Sequence, residues 1–218
     1  NNIRSIRCSA YKKVASVITE NKTILLWPDF HNTSQYKEYK LLHPAAEISC
    51  GLDFVSVLLE NQTLFKIHLD GSIEPMISRI SPEKIIDRFT IMRSCESYTI
   101  AIDFESNLWL FGQVGKLKSF KNSPPIAVEV IDAFALPNSI VTILSNRRAM
   151  VLGENKEGQL VTGDKQSFYE FKLPAISCPI LSIVGNEKMI IYLTRPLSRS
   201  SIEYDQSEFI PGYQKYLN

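Results

Sequence analysis

Histidine is the side chain that most readily moves protons near neutral pH, and this sequence has three: His31, His43 and His68. Base catalysis on a serine or cysteine nucleophile needs a histidine beside the nucleophile and a carboxylate behind it. All three histidines fall in polar stretches of the first third of the chain. None is accompanied by a nucleophile elbow, a phosphate-cradling glycine loop or a second histidine at metal-ligand spacing. The carboxylates Asp103, Glu105, Glu154 and Glu157 are scattered through turn-like segments, as solvated charge on a β surface is. Cys8, Cys50, Cys95 and Cys178 lack the paired spacing of a zinc site or a redox pair and read as reduced, intracellular thiols. These residues predict a non-enzymatic protein with no metal and no cofactor, located in the cytoplasm, with the nucleus as the alternative.

Binding is then the function class to consider, and charge narrows it. The 24 basic and 23 acidic residues leave a net charge of +1, so no overall field draws the protein to nucleic acid or an anionic membrane. Nucleic acid is not expected as a partner, and no apolar run approaches the length of a membrane span. Lys116, Lys118 and Lys121 around Phe120 read as a solvated rim. With 218 residues, 44% of them hydrophobic, the chain can bury one sizeable core. It begins without a methionine, and the expectation is a domain of a longer protein.

The elements that position these residues repeat. One phrase recurs as ASVITENKTILLW (15–27), VSVLLENQTLFKI (55–67), TIAIDFESNLWLF (99–111), VTILSNRRAMVLG (141–153) and SIVGNEKMIIYL (182–193). Each reads as strand, polar turn, strand, with Asn21, Asn61, Asn107, Asn146 or Asn186 in the turn. The residues opening the second strand, Ile24, Leu64, Leu108, Ala149 and Met189, lie 40, 44, 41 and 40 residues apart. No copy has room for an amphipathic helix, so the fold class is all-β. Asn-X-Ser/Thr triplets begin at Asn21, Asn32 and Asn61, but asparagine suits a turn for backbone reasons alone.

Four copies also carry a cysteine just before the hairpin, in IRCSAY, ISCGLD, RSCESY and ISCPIL. This reads as a small apolar residue where strands crowd. Looser stretches after each hairpin, such as HLDGSIEPMIS and KLKSFKNSPPIAVEV, would supply outer strands. Five such units pack radially to bury both faces of each, with repeats at about 5–45, 46–84, 85–130, 131–174 and 175–218. Segments 55–59 and 140–144 are expected near the central axis.

In the fourth copy, AMVLGENKEGQLVTGD (149–164), the positions Gly153, Asn155, Gly158, Gln159, Leu160 and Gly163 resemble the repeat of the regulator of chromosome condensation family. Leu108 to Gly112 and Ser49 to Asp53 are similar to the approach strands of that repeat. The resemblance implies a β-propeller with four-stranded antiparallel blades, usually seven of them. Five copies are present here, and the reading adopted is a five-bladed ring, closed by Ile3–Cys8 and 208–217.

Propellers bind partners on loops carried by a rigid frame. The loops before the hairpins are therefore the expected face, with Tyr11, Lys12, Asp53, Phe54, Glu96, Tyr98 and Asn138 as partner-binding residues and Tyr11, Phe54 and Tyr98 as aromatic anchors. The function expected is a protein-interaction module of a larger signalling or cytoskeletal regulatory protein. The alternative, implied by the resemblance, is guanine-nucleotide exchange on a small GTPase.

Overall fold

The computed structural model describes residues 3–8, 14–32, 34–79, 85–118, 124–185 and 189–195, and at 3–8, 79 and 118 it describes the backbone only. Among these residues twenty strands fall into four four-stranded sheets and two hairpins. The first sheet holds β1 (Ile3–Cys8), β2 (Ala15–Thr19), β3 (Ile24–Trp27) and β4 (Lys37–Tyr39), and the second holds β5 (Ala45–Cys50), β6 (Phe54–Leu59), β7 (Leu64–His68) and β8 (Ile73–Pro75). A short hairpin, β9 (Ser78–Arg79) with β10 (Ile85–Ile86), comes before the third sheet. That sheet is β11 (Phe89–Cys95), β12 (Tyr98–Asp103), β13 (Leu108–Val114) and β14 (Leu117–Lys118). The fourth is β15 (Val130–Leu136), β16 (Ser139–Leu144), β17 (Ala149–Gly153) and β18 (Phe168–Lys172), and β19 (Ile180–Gly185) with β20 (Ile190–Thr194) begins a further unit. Within every sheet the strands are antiparallel neighbours in chain order.

The connection between second and third strands is the same in all four sheets. In the second sheet Gln62 N–H donates to Leu59 O, and Leu59 N–H donates to Thr63 O across the mouth. Lys22, Gln62, Ser106 and Arg147 close these turns with φ of +60°, +73°, +62° and +65°, the bulged three-residue hairpin geometry. The polar turn residues hold it. Asn61 Oδ1 accepts from Thr63 N–H, and Asn146 Oδ1 accepts from Arg148 N–H. In the third copy Asp103 does this work, accepting from the backbone of Glu105 and Asn107 and from the Trp109 indole at 2.8 Å.

Four apolar clusters fill the four junctions between successive units. Ile18 and Leu26 meet Ile48 and Val57 between the first two sheets. Leu58 and Leu64 meet Phe89, Met92 and Trp109 at the next junction. Ile100 and Leu108 meet Ala133, Ile140 and Leu152 between the third and fourth sheets, and Val141 and Leu160 meet Ile180 and Ile183 at the last. The second strands β6, β12 and β16 thus feed two junctions each and are buried along their whole length, as β2 of the first sheet also is.

Three expectations are corrected. The cysteine-bearing phrases are themselves strands: Cys8, Cys50 and Cys95 end β1, β5 and β11. These first strands adjoin one another from sheet to sheet, so they form the inner layer, and 55–59 and 140–144 lie one strand further out. Two-sided burial arises from flanking sheets, not from nearness to an axis.

The fifth copy is offset by one strand. β19 pairs with β20 through the same irregularity near its start that marks every first strand, so Ile180 corresponds to Val130 and β20 is a second strand. The 40-residue spacing to Met189 was therefore fortuitous, and Cys178 precedes β19 where the other cysteines end their strands. Ile3–Cys8 is the first strand of its own sheet and pairs with β2. Segment 208–217 lies outside the described residues.

Candidate partner-binding face

First and second strands meet in short connections along one edge of the array. In the second sheet Gly51 N–H donates to Phe54 O, and Leu52 N–H donates to Glu96 O of the next sheet at 2.7 Å. A side chain at position 51 would collide with the Phe54 ring, the nearest ring carbon being 2.3 Å from an added Cβ. Glu96 and Asn138 take left-handed φ values of +46° and +54°, which let a two-residue connection reverse the chain. Glu154 N–H donates to Asn138 O at 2.9 Å, tying the fourth-sheet connection to the start of the following loop.

Of the expected partner-binding residues, Asp53 is exposed and Glu96 and Asn138 are half-buried on this edge. Phe54 and Tyr98 are each 1% exposed, so neither side chain is available as an anchor. Phe54 packs inward under the Lys66 ammonium, 4.2 Å from its ring centroid. The Tyr98 hydroxyl lies 2.6 Å from the carbonyl oxygens of both Leu136 and Ser139 and accepts from Leu136 N–H. Tyr98 is thereby spent on joining the third sheet to the fourth, and Phe54 on packing between Gly51 and Lys66 of its own sheet. Tyr11 and Lys12 lie outside the described residues.

The third-to-fourth connections share this edge. In the second sheet Asp70 Oδ1 accepts from Ser72 N–H and Oγ, both at 2.8 Å, and these bonds hold its carboxyl below the usual carboxylate range. In the fourth sheet the corresponding loop contains the glycine-rich motif. Asn155, fully buried, donates through Nδ2 to Thr162 Oγ1 and Asp164 O and accepts from Leu160 N–H. Gln159 donates to Glu154 O and accepts from Glu157 N–H. Leu160 is buried in the junction with β19. Asn155, Gln159 and Leu160 therefore shape and seat the loop.

Among the described residues no group of three or more His, Cys, Asp or Glu could hold a metal ion, and no helix is long and apolar enough to cross a membrane. Residues that sequence reasoning missed lie on the inner strands: Glu47 of β5 and Arg93 of β11 form an ion pair at 2.9 Å. Their phrases, EISC and MRSC, lack the strict alternation that marks a strand in sequence, so the pairing is visible only in the structure.

No protein-family model and no curated protein matches the chain. Solved structures do. Prp20p from Saccharomyces cerevisiae is similar with a TM-score of 0.68 at 12% identity, over 88% of this chain and 55% of that one. The fold is that of a β-propeller. Human WBSCR16 gives 0.67 at 10% identity over 89% and 58% of the two chains, and the CRINKLY WD40 ectodomain of the Arabidopsis thaliana receptor kinase ACR4 gives 0.57 at 11% over 89% and 60%. The chain spans little more than half the length of these propellers. At such identities the likeness shows the fold alone.

Proposed function

We propose that this propeller is a non-catalytic protein-interaction module of a larger signalling or cytoskeletal regulatory protein, cytoplasmic, binding its partner on the edge that carries Asp53, Glu96 and Asn138. The observation carrying this reading is that connections of successive sheets are bonded to one another, as Leu52 N–H is to Glu96 O. Loops held this way lose little conformational freedom on binding. Charge at the rim of such a face steers association and selects partners. Proteins captured from a lysate by the wild type should be retained about tenfold more weakly by Asp53→Lys combined with Glu96→Lys. Unchanged retention by the folded double variant overturns the choice of face.

Exchange on a small GTPase is the second reading. It is supported by the likeness to Prp20p, whose solved structure is described with its binding to Gsp1p and histones. Accelerated nucleotide release from any of a panel of small GTPases would move the assignment there; the expected result is no acceleration.

A five-bladed ring belongs to the same proposal. β19 and β20 have the register of first and second strands, and their outward face presents Val184, Ile191 and Leu193 at 54, 51 and 59% exposure. Closure would bury that face against a neighbouring sheet. In a closed ring Leu193→Glu costs about 2–3 kcal/mol by placing a carboxylate in an apolar junction. A loss below ~0.5 kcal/mol, the range of ordinary surface substitutions, means the face stays open.

A further inference from the structure

The inner strands carry an internal comparison. Glu47 directly follows the irregularity of β5 and stands opposite Leu58; Asp132 directly follows that of β15 and stands opposite Ile143. The two carboxylates are thus equivalent, two sheets apart. Glu47 is answered from the next sheet by Arg93, which stands opposite Ile100, two positions short of the last strand residue, and whose guanidinium is 2.9 Å away. The position equivalent to Arg93 in the unit after Asp132 is Val184, opposite Ile191. An aliphatic side chain therefore stands where a guanidinium stands one repeat pair earlier. The hydrogen bond described for Asp132 is from its neighbour, Ala133 N–H at 2.9 Å.

A cavity of about 170 Å³ lies at this place, bordered by Arg93, Asp132, Phe134 and Ser182 and floored by Ile143 and Ile183. It is smaller than the roughly 300–1,000 Å³ of a pocket for a cofactor or drug-sized ligand, which suits it to one side-chain head group. Its polar wall is rich in acceptors: the Asp132 carboxylate and the Ser182 hydroxyl. The Arg93 guanidinium on the same wall is paired with Glu47 at 2.9 Å. Phe134, half-buried, offers a ring on which a planar cation stacks. Ile143 and Ile183, both buried, offer an apolar floor for a methylene stem.

We infer that this cavity receives the guanidinium of an arginine side chain presented by a bound protein, with Asp132 as counter-ion, in the way Arg93 answers Glu47 within the chain. The inference rests on the reading of the domain as a partner-binding module. A guanidinium fits better than an ammonium because it pairs with a carboxylate and stacks on an aromatic face at once.

The test is an NMR titration of the whole chain with a capped Gly-Arg-Gly peptide, with its citrulline counterpart and free arginine as the other arms. The expected result is saturable shifts at Ala133 and Ser182, weakened about 10- to 100-fold by Asp132→Asn and by citrulline, the worth of one charge-assisted hydrogen bond. Asp132 is half-buried and the replacement nearly isosteric, so the variant folds. Val184→Arg is the second variant: it supplies the cation from the chain itself and should abolish peptide binding. Absence of saturable shifts, or equal affinity in wild type and Asp132→Asn, overturns the site. Free arginine binding as tightly as the peptide overturns its assignment to a protein side chain. The outer-edge variants Asp53→Lys and Glu96→Lys leave this titration unchanged, so failure of the face and failure of the cavity are distinguishable.

Discussion

Gly153→Ala is expected to cost about 4 kcal/mol or more, enough to unfold a domain of ordinary stability. The residue closes β17 at φ +116°, which strains any side-chain-bearing residue. The larger part is contact. An added Cβ would lie 2.2 Å from Asn138 O and 2.5 Å from the Ser139 Cα, and both are backbone atoms of the connection the strand packs against. Gly163 separates the two effects, because it has φ +89° with nothing within 4 Å of an added Cβ. Gly163→Ala should therefore cost only the conformational strain, about 1–3 kcal/mol. Urea unfolding of both variants measures the difference, and equal losses would mean that β17 moves aside and close approach is not what requires glycine. Gly112, opposite Tyr98 in the third sheet, meets Ser97 O at 2.3 Å and should behave as Gly153 does.

Tyr98→Phe should cost about 2–4 kcal/mol while leaving the ring's packing intact. The hydroxyl is shared between the carbonyl oxygens of Leu136 and Ser139 and also takes the Leu136 N–H, so its removal strands buried backbone groups at the turn from β15 to β16. Because the lost bonds run from the third sheet to the fourth, the loss should fall on that junction. Hydrogen exchange at Leu136 and Ser139 would report it, with protection there falling more than at Val57 in the second sheet. A variant as stable as the wild type would show that the bonds are replaced by water. The same variant separates two roles for the residue: a clamp lowers stability and leaves partner affinity per folded molecule unchanged, whereas a contact residue does the reverse.

Much of the fold was legible in the sequence, and the reasons are local. The turn phrases around Asn21, Asn61 and Asn146 meet the demands of a bulged hairpin within five residues, so their period exposed the repeat. Alternation reached its limit at the first strands. EISC and MRSC mix polar and apolar residues because Ile48, Cys50 and Met92 are taken into junctions while Glu47, Ser49, Arg93 and Ser94 stay half-buried or paired at the inner layer. The fifth copy misled because a first-to-second hairpin and a second-to-third hairpin have nearly the same length and composition. Only the irregularity that recurs near the start of every first strand distinguishes them, and it appears in the pairing of Ile180 and Ser182 with Thr194 and Leu193.

The candidate site was less legible. An aromatic residue at a loop–strand boundary reads equally as an anchor for a partner or as buried filling, and Phe54 and Tyr98 are both buried. The well-preserved motif from Gly153 to Gly163 serves the same internal end, with Asn155 and Leu160 buried beneath their own loop.

By itself the sequence determined that the chain is all-β, that its hairpins recur about every forty residues, and where those hairpins turn. These properties follow from backbone preferences of neighbouring residues. The tertiary structure alone decided which strands form the inner layer, which aromatics are buried, and that Glu47 has a guanidinium partner in Arg93 while the equivalent position two units later is Val184. The contacts that join one sheet to the next, such as Glu47 with Arg93 and Tyr98 with Leu136, are made between residues about forty positions apart, and stacking the sheets chooses which of them meet.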